Sequence, residues 1–142
     1  MNRSDVVLAT IALQGAEVLL SPVQVQKLFF ILDREISYSI GGPHFHFKPY
    51  DYGPFDADVY SEIEKLVEAG LAQIDKGYQY RIYRLTDEGL KKGLKLADNL
   101  PESARKYIVT VGSFVRRLSF QELVSSIYKK YPEMREKSVF RE

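Results

Sequence analysis

Few side chains in this 142-residue chain are placed to do covalent chemistry. Its two histidines stand as His44-x-His46, five residues ahead of Asp51. On a strand that spacing puts both imidazoles on one face. Two imidazoles with a carboxylate are a known ligand set for a divalent metal. Surface histidines flanking buried Phe45 and Phe47 account for the same pattern, so no metal ligand is assigned. There is no cysteine, which removes disulfides, thiolate metal sites and Cys nucleophiles. The chain has no Gly-x-Ser-x-Gly segment and no phosphate-cradling glycine loop. No pair of carboxylates is isolated in apolar sequence, as a general acid and base would be. A non-enzymatic protein is expected, with no catalytic residue and no cofactor.

What remains is the chemistry of binding. The chain carries ten Tyr and eight Phe but no Trp. Tyr suits positions where one end of the ring is buried and the other is wet. The aromatic residues concentrate in Tyr50-Asp51-Tyr52-Gly53-Pro54-Phe55, with Tyr60 close behind. One reading is a core corner. The other is an exposed aromatic surface that docks a protein, with Asp51, Asp56, Asp58 and Glu62 adding negative charge; both can hold together. The net charge of +1 conceals an asymmetry. Residues 1–85 hold 8 Lys/Arg and 11 Asp/Glu, whereas residues 86–142 hold 12 and 8.

The elements that position these residues are legible from spacing. A first helix is expected over about Ser4 to Leu13, capped by Ser4. A second starts at Ser21-Pro22 and carries Val25, Leu28, Phe29, Leu32 and Ile36 at helical steps. Lys27 falls inside that apolar run, where it can snorkel to the rim or meet a buried carboxylate. Gly41-Gly42-Pro43 ends the helix, and the alternation of His44 to Lys48 reads as a short strand. Asp56 caps a third helix, about Ala57 to Ala69. Residues 71–75 and 78–85 form a hairpin around Lys76-Gly77. Ile82 and Leu85 have opposite parity, which calls for a bulge or for burial on both faces. Thr86 caps a fourth helix, a fifth covers about Glu102 to Leu118, and the Ser119/Glu122 capping box opens the last. Residues 133–142 read as a loose tail.

Helix, glycine, hairpin and capped helix in this order describe a winged helix. Such domains commonly place the third helix in a DNA groove, yet this one carries Asp56, Asp58, Glu62, Glu64 and Glu68 against Lys65. That charge repels phosphates. If DNA is bound, the wing residues Lys76, Gln79, Arg81 and Arg84, with Lys91, Lys92, Arg116 and Arg117, are the available contacts.

Two segments resemble a known family. Gln26-Lys27-Leu28-Phe29-Phe30 is similar to the Lys-Leu-x-Lys/Gln-Leu-aromatic helix of the Panacea, or SocA-like, bacterial antitoxin domain. Phe47-x-Pro49-Tyr50-x-Tyr52-Gly53-Pro54-Phe55, followed by Val59-Tyr60, resembles its aromatic-Tyr-Gly-Pro-Val segment. The likeness covers roughly the first half of the chain. Tyr50-Asp51 stands where that family commonly has Trp, and the hairpin looks like that of generic winged-helix regulators. The resemblance implies neutralisation of a toxin by direct binding or by presentation for proteolysis.

The expectation is therefore one mostly helical α+β domain over residues 1–142. It has a winged-helix-like core over 1–99, one small β-hairpin at 71–85 and a helical pair over 100–132. It is expected to be a bacterial, cytoplasmic module of antitoxin or regulator type that binds a partner protein, such as a toxin encoded nearby. A DNA-binding transcriptional regulator is the alternative. A homodimer is plausible from the Tyr-rich turn and the C-terminal helices. No apolar run approaches ~18 residues, so no membrane span is expected.

Overall fold

Six helices carry the molecule in the computed structural model, which describes residues 1–141. They are α1 Arg3–Leu13, α2 Pro22–Glu35, α3 Asp58–Glu68, α4 Asp87–Ala97, α5 Glu102–Arg117 and α6 Phe120–Lys130. Local signals set most of their starts. Ser21 Oγ accepts from Gln24 N at 3.3 Å while Ser21 N donates back to Gln24 Oε1 at 2.9 Å. Ser119 and Glu122 close the same reciprocal pair ahead of α6. Thr86 Oγ1 accepts from Gly89 N at 3.1 Å and donates to Gly70 O at 2.8 Å, tying α4 to the end of α3. The first helix departs from expectation. Its cap is Asn2, whose Oδ1 accepts from Asp5 N at 2.9 Å. Ser4 is instead drawn off to a distant carboxylate on α3.

The fold is α+β and mostly helical. It holds two antiparallel hairpins, where the sequence pointed to one. Strands β1 (Lys48–Tyr50) and β2 (Gly53–Phe55) pair Lys48 with Phe55 and Tyr50 with Gly53, around an Asp51-Tyr52 turn. Strands β3 (Ala72–Asp75) and β4 (Ile82–Leu85) form the other. The strand expected from His44 begins only at Lys48, for a physical reason. Its backbone donors are taken by side chains: His44 N and Phe45 N by the Asp33 carboxylate, His46 N by Asp56 Oδ2 at 2.7 Å. Phe45 and Phe47 still turn inward, against Phe29 and Phe30.

The parity problem in β4 resolves without a bulge. Its register with β3 is continuous, and both Ile82 and Tyr83 are buried. Leu20, just ahead of α2, bridges Tyr83 through N–H···O bonds of 2.9 and 2.8 Å.

Helix α2 is the central one. Val25, Leu28, Phe29, Phe30 and Leu32 are all buried, and α3, α5 and β2 pack on it. Helix α1 makes its most extensive contact with α4. Gly93 permits that approach, since a Cβ there would stand 2.5 Å from Ala12 Cβ and 2.8 Å from Leu8 O.

Residues 133–140 are anchored where a loose tail was expected over 133–142, of which residue 142 lies outside the described residues. Pro132–Arg135 forms a 3₁₀ turn that buries Met134. Val139 N then donates to Asp51 O at 2.9 Å, and the Phe140 ring packs on Phe120 and Tyr128. No helix among the described residues is long and apolar enough to cross a membrane.

Candidate functional site

The tight turn between β1 and β2 is held from below by α2. Gln26 grips the backbone of Asp56 at both ends: its Nε2 donates to Asp56 O and its Oε1 accepts from Asp56 N, each at 2.9 Å. The next residue, Lys27, donates from Nζ to Pro54 O at 3.1 Å. Asp56 passes the restraint on, since its Oδ1 accepts from Asp58 N at 2.8 Å and so supports the first turn of α3. Gly53 sits at φ +99, in the left-handed region that side chains avoid.

Rings continue outward from this corner in two directions. Tyr50 stacks on Phe55 at 5.2 Å, Phe55 meets Tyr60 edge-on at 5.8 Å, and Tyr60 stacks on Tyr83 at 6.1 Å. Arg81 covers the far end, 5.4 Å from the Tyr60 ring centre and 5.8 Å from that of Tyr83. Burial pushes the Tyr83 phenol up to about 12, and that of Tyr60 upward as well. In the other direction Tyr52 meets Phe120 edge-on at 5.1 Å, and Phe120 meets Phe140. Tyr50, Tyr52 and Phe120 nonetheless remain 55%, 45% and 43% exposed.

Two clefts open beside them. One, of about 250 Å³, lies over Lys27 and is walled by Tyr50, Tyr52, Phe55 and Phe120. The other, of about 420 Å³, reaches Tyr80 and Leu118 and shares Pro22, Val23 and Phe120 with the first. The two clefts adjoin at the N-terminus of α2, with Phe120 between them.

The expected interaction residues divide. Tyr50, Asp51, Tyr52 and Asp58 are exposed, Phe55 is half-buried, and Gly53 and Pro54 are buried parts of the corner's frame. Glu62 does not belong to the surface. It is 2% exposed and accepts from Ser4 Oγ at 2.6 Å, Lys65 Nζ at 3.0 Å and Arg3 Nη2 at 3.2 Å. Burial pushes its carboxyl upward, but the Ser4 and Lys65 hydrogen bonds and the Arg3 charge outweigh that and hold it below the usual range. A helical wheel places Glu62 beside the apolar stripe; nothing local says that α1 brings donors to it.

Lys27 departs from both expectations for it. It neither snorkels nor meets a carboxylate, but ends on the neutral carbonyl of Pro54 at 3% exposure. Burial lowers its amine to about 7. The roles of Gln26, Lys27 and Phe120 at the corner were not assigned from sequence. The one available signal was a Gln-Lys pair interrupting an otherwise apolar helix.

The cations named for DNA are scattered and partly occupied. Lys76 and Gln79 are exposed at the wing. Arg84 pairs with Asp75 at 3.0 Å, and Arg81 lies 4.0 Å from Glu64. Arg116 is half-buried, and Arg117 lies over Phe114 in a separate groove between α5 and α6. Lys91 and Lys92 are exposed on α4. The His44 ring bonds Ile40 O at 2.7 Å. Among the described residues no three His, Asp or Glu side chains are grouped to hold a metal ion.

No protein-family model, curated protein or solved structure matches the chain.

Proposed function

We propose that this chain is a non-enzymatic interaction module of antitoxin or regulator type, on a winged-helix plan, that binds a partner protein through its aromatic corner. The observation that carries this reading is the row of exposed rings, Tyr50, Tyr52 and Phe120, beside two adjoining clefts. Contiguous exposed apolar surface marks docking sites, and Tyr is favoured in them. The backbone beneath is rigid, held by Gln26, Lys27 and the Val139–Asp51 bond. A preordered surface loses little entropy on binding. Asp51 and Asp58 add negative charge at the rim.

The winged-helix plan is supported by the order α1, the Leu20–Tyr83 bridge, α2, α3 and the β3–β4 hairpin. The DNA-binding alternative has less support. Helix α3 exposes Asp58, Glu64 and Glu68, and its cation Lys65 is paired with Glu62. Phosphates approaching that face meet repulsion.

The test is co-expression with the product of the adjacent open reading frame, followed by size-exclusion chromatography. A stable complex lost in the Tyr50→Ala/Tyr52→Ala double variant, and weakened in Glu64→Lys/Glu68→Lys, is expected. Salt-sensitive duplex binding in a gel shift, untouched by the Tyr pair and strengthened by the charge reversal, would overturn the reading in favour of DNA.

A further inference from the structure

Lys27 and Glu62 are the two buried charged side chains among the described residues. Glu62 is fully partnered. Lys27 is not: its ammonium can donate three hydrogen bonds, yet it makes one, to the neutral Pro54 O, and no ion pair. Buried cations are normally paired with an anion or lose their proton.

Space stands next to it. Gly53 has no side chain, and a Cβ there would lie 3.7 Å from Lys27 Nζ and 3.3 Å from Tyr128 Cε1. The Tyr128 hydroxyl is itself buried without a hydrogen-bond partner. Lys27 and Gly53 both line the cleft of about 250 Å³ whose walls are Tyr50, Tyr52, Phe55 and Phe120. That volume admits one small ring or branched side chain, and the walls favour it by stacking. The floor supplies an amine that pairs with no carboxylate; Asp51 also lines the cleft but makes no ion pair with Lys27.

We propose that the cleft over Lys27 binds a carboxylate borne on an aromatic or other apolar group, the ring held among Tyr50, Tyr52, Phe55 and Phe120 and the carboxylate paired with Lys27 Nζ. The anion completes the amine's set of partners. This inference rests on the docking reading above, whose rings Tyr50, Tyr52 and Phe120 it shares, and adds the chemistry of the ligand that those rings take. Two sources supply such chemistry, a free small acid and the last residue of a polypeptide.

Calorimetric titration of the full chain with phenylacetate and with phenylacetamide tests it. Phenylacetate is expected to saturate in the millimolar range, as fits so small a ligand. The amide, which keeps the ring and loses the charge, is expected to bind about tenfold or more weakly. Lys27→Met keeps an unbranched side chain, one atom shorter, removes the amine, and is expected to lose phenylacetate by a similar factor. In the unmutated protein the Lys27 side-chain nitrogen signal should shift on adding phenylacetate, so the test does not depend on that variant folding. A peptide ending in Phe with a free carboxylate, set against its C-terminal amide, separates the sources. Binding of the peptide acid without phenylacetate assigns the site to a chain terminus. Equal affinity for acid and amide, or no saturable binding of either carboxylate, sinks the proposal. A null result here leaves the test of partner binding through Tyr50 and Tyr52 standing.

Discussion

Among the described residues two regions bury a charge, and they treat it in opposite ways. Where α1 meets α3, Glu62 is surrounded by Ser4, Arg3 and Lys65. Under the Gly-Pro corner, Lys27 has one neutral carbonyl. The first arrangement is self-sufficient: each carboxylate oxygen finds a donor within the chain, and the result is a strut between two helices. The second is incomplete, and it lies beneath the most aromatic surface of the protein. A charge satisfied internally contributes to stability; one left short of partners costs stability, and a binding role is a physical reason for a fold to keep it.

The largest expected effect tests that cost directly. Lys27→Met should stabilise the chain by about 3–5 kcal/mol near pH 6, read from urea unfolding. The sign follows from proton binding. The folded amine titrates at about 7 and the unfolded one at 10.5, so between those values the unfolded chain holds more protons. The Lys27 contribution to wild-type stability therefore climbs with pH across that window and is flat below it. The variant should lack the climb, and the two curves should approach each other toward pH 10.5. Parallel curves would mean that the amine is not desolvated.

Glu62→Gln should do the opposite and cost about 2–3 kcal/mol at neutral pH, since it removes a buried charge from its donors. The carboxyl is held below its unfolded value. Its contribution is thus present above the ordinary carboxylate range and is lost as pH falls through the lowered folded value. The gap between wild type and variant should close in acid. A gap unchanged by acid would assign the loss to packing rather than charge.

Gly53→Ala is expected to cost about 2 kcal/mol through its left-handed backbone and the nearby Tyr128 ring. It should also narrow the space beside Lys27, whereas no comparable change at Glu62 touches a cleft. Smallest of all, Arg81→Ala should cost under about 1 kcal/mol, the worth of an exposed cation–π contact and a long surface pair. Thermal unfolding of the purified variants ranks both.

Much of the frame was readable in advance because it is local. Ser21, Thr86 and Ser119 cap α2, α4 and α6 as their spacing demanded, since a cap needs only the three residues that follow it. The β3–β4 hairpin was readable but its turn was not: β4 starts at Ile82, not at residue 78, and Asp75 pairs with Ile82 across a loop over residues 76–81 instead of a tight Lys76-Gly77 turn. The corner followed from Gly53-Pro54. The other misreadings share one cause. Ser4 looked like a cap, but Glu62, 58 residues away, takes its hydroxyl. The expected strand at His44 is displaced by carboxylates from α2 and from Asp56. The tail looked free because its anchors, Asp51 and the Phe120 and Tyr128 rings, are remote in sequence.

The order of letters alone was enough to specify where helices begin, where the chain reverses and which faces are apolar, because neighbours within four residues settle those matters. It could not say which carboxylate would be enclosed by donors or which amine would be shut away from water. Burial and pairing of a charge depend on what other elements bring to within a few ångströms of it. Those distances exist only after α2 has closed on the corner and α1 on α3.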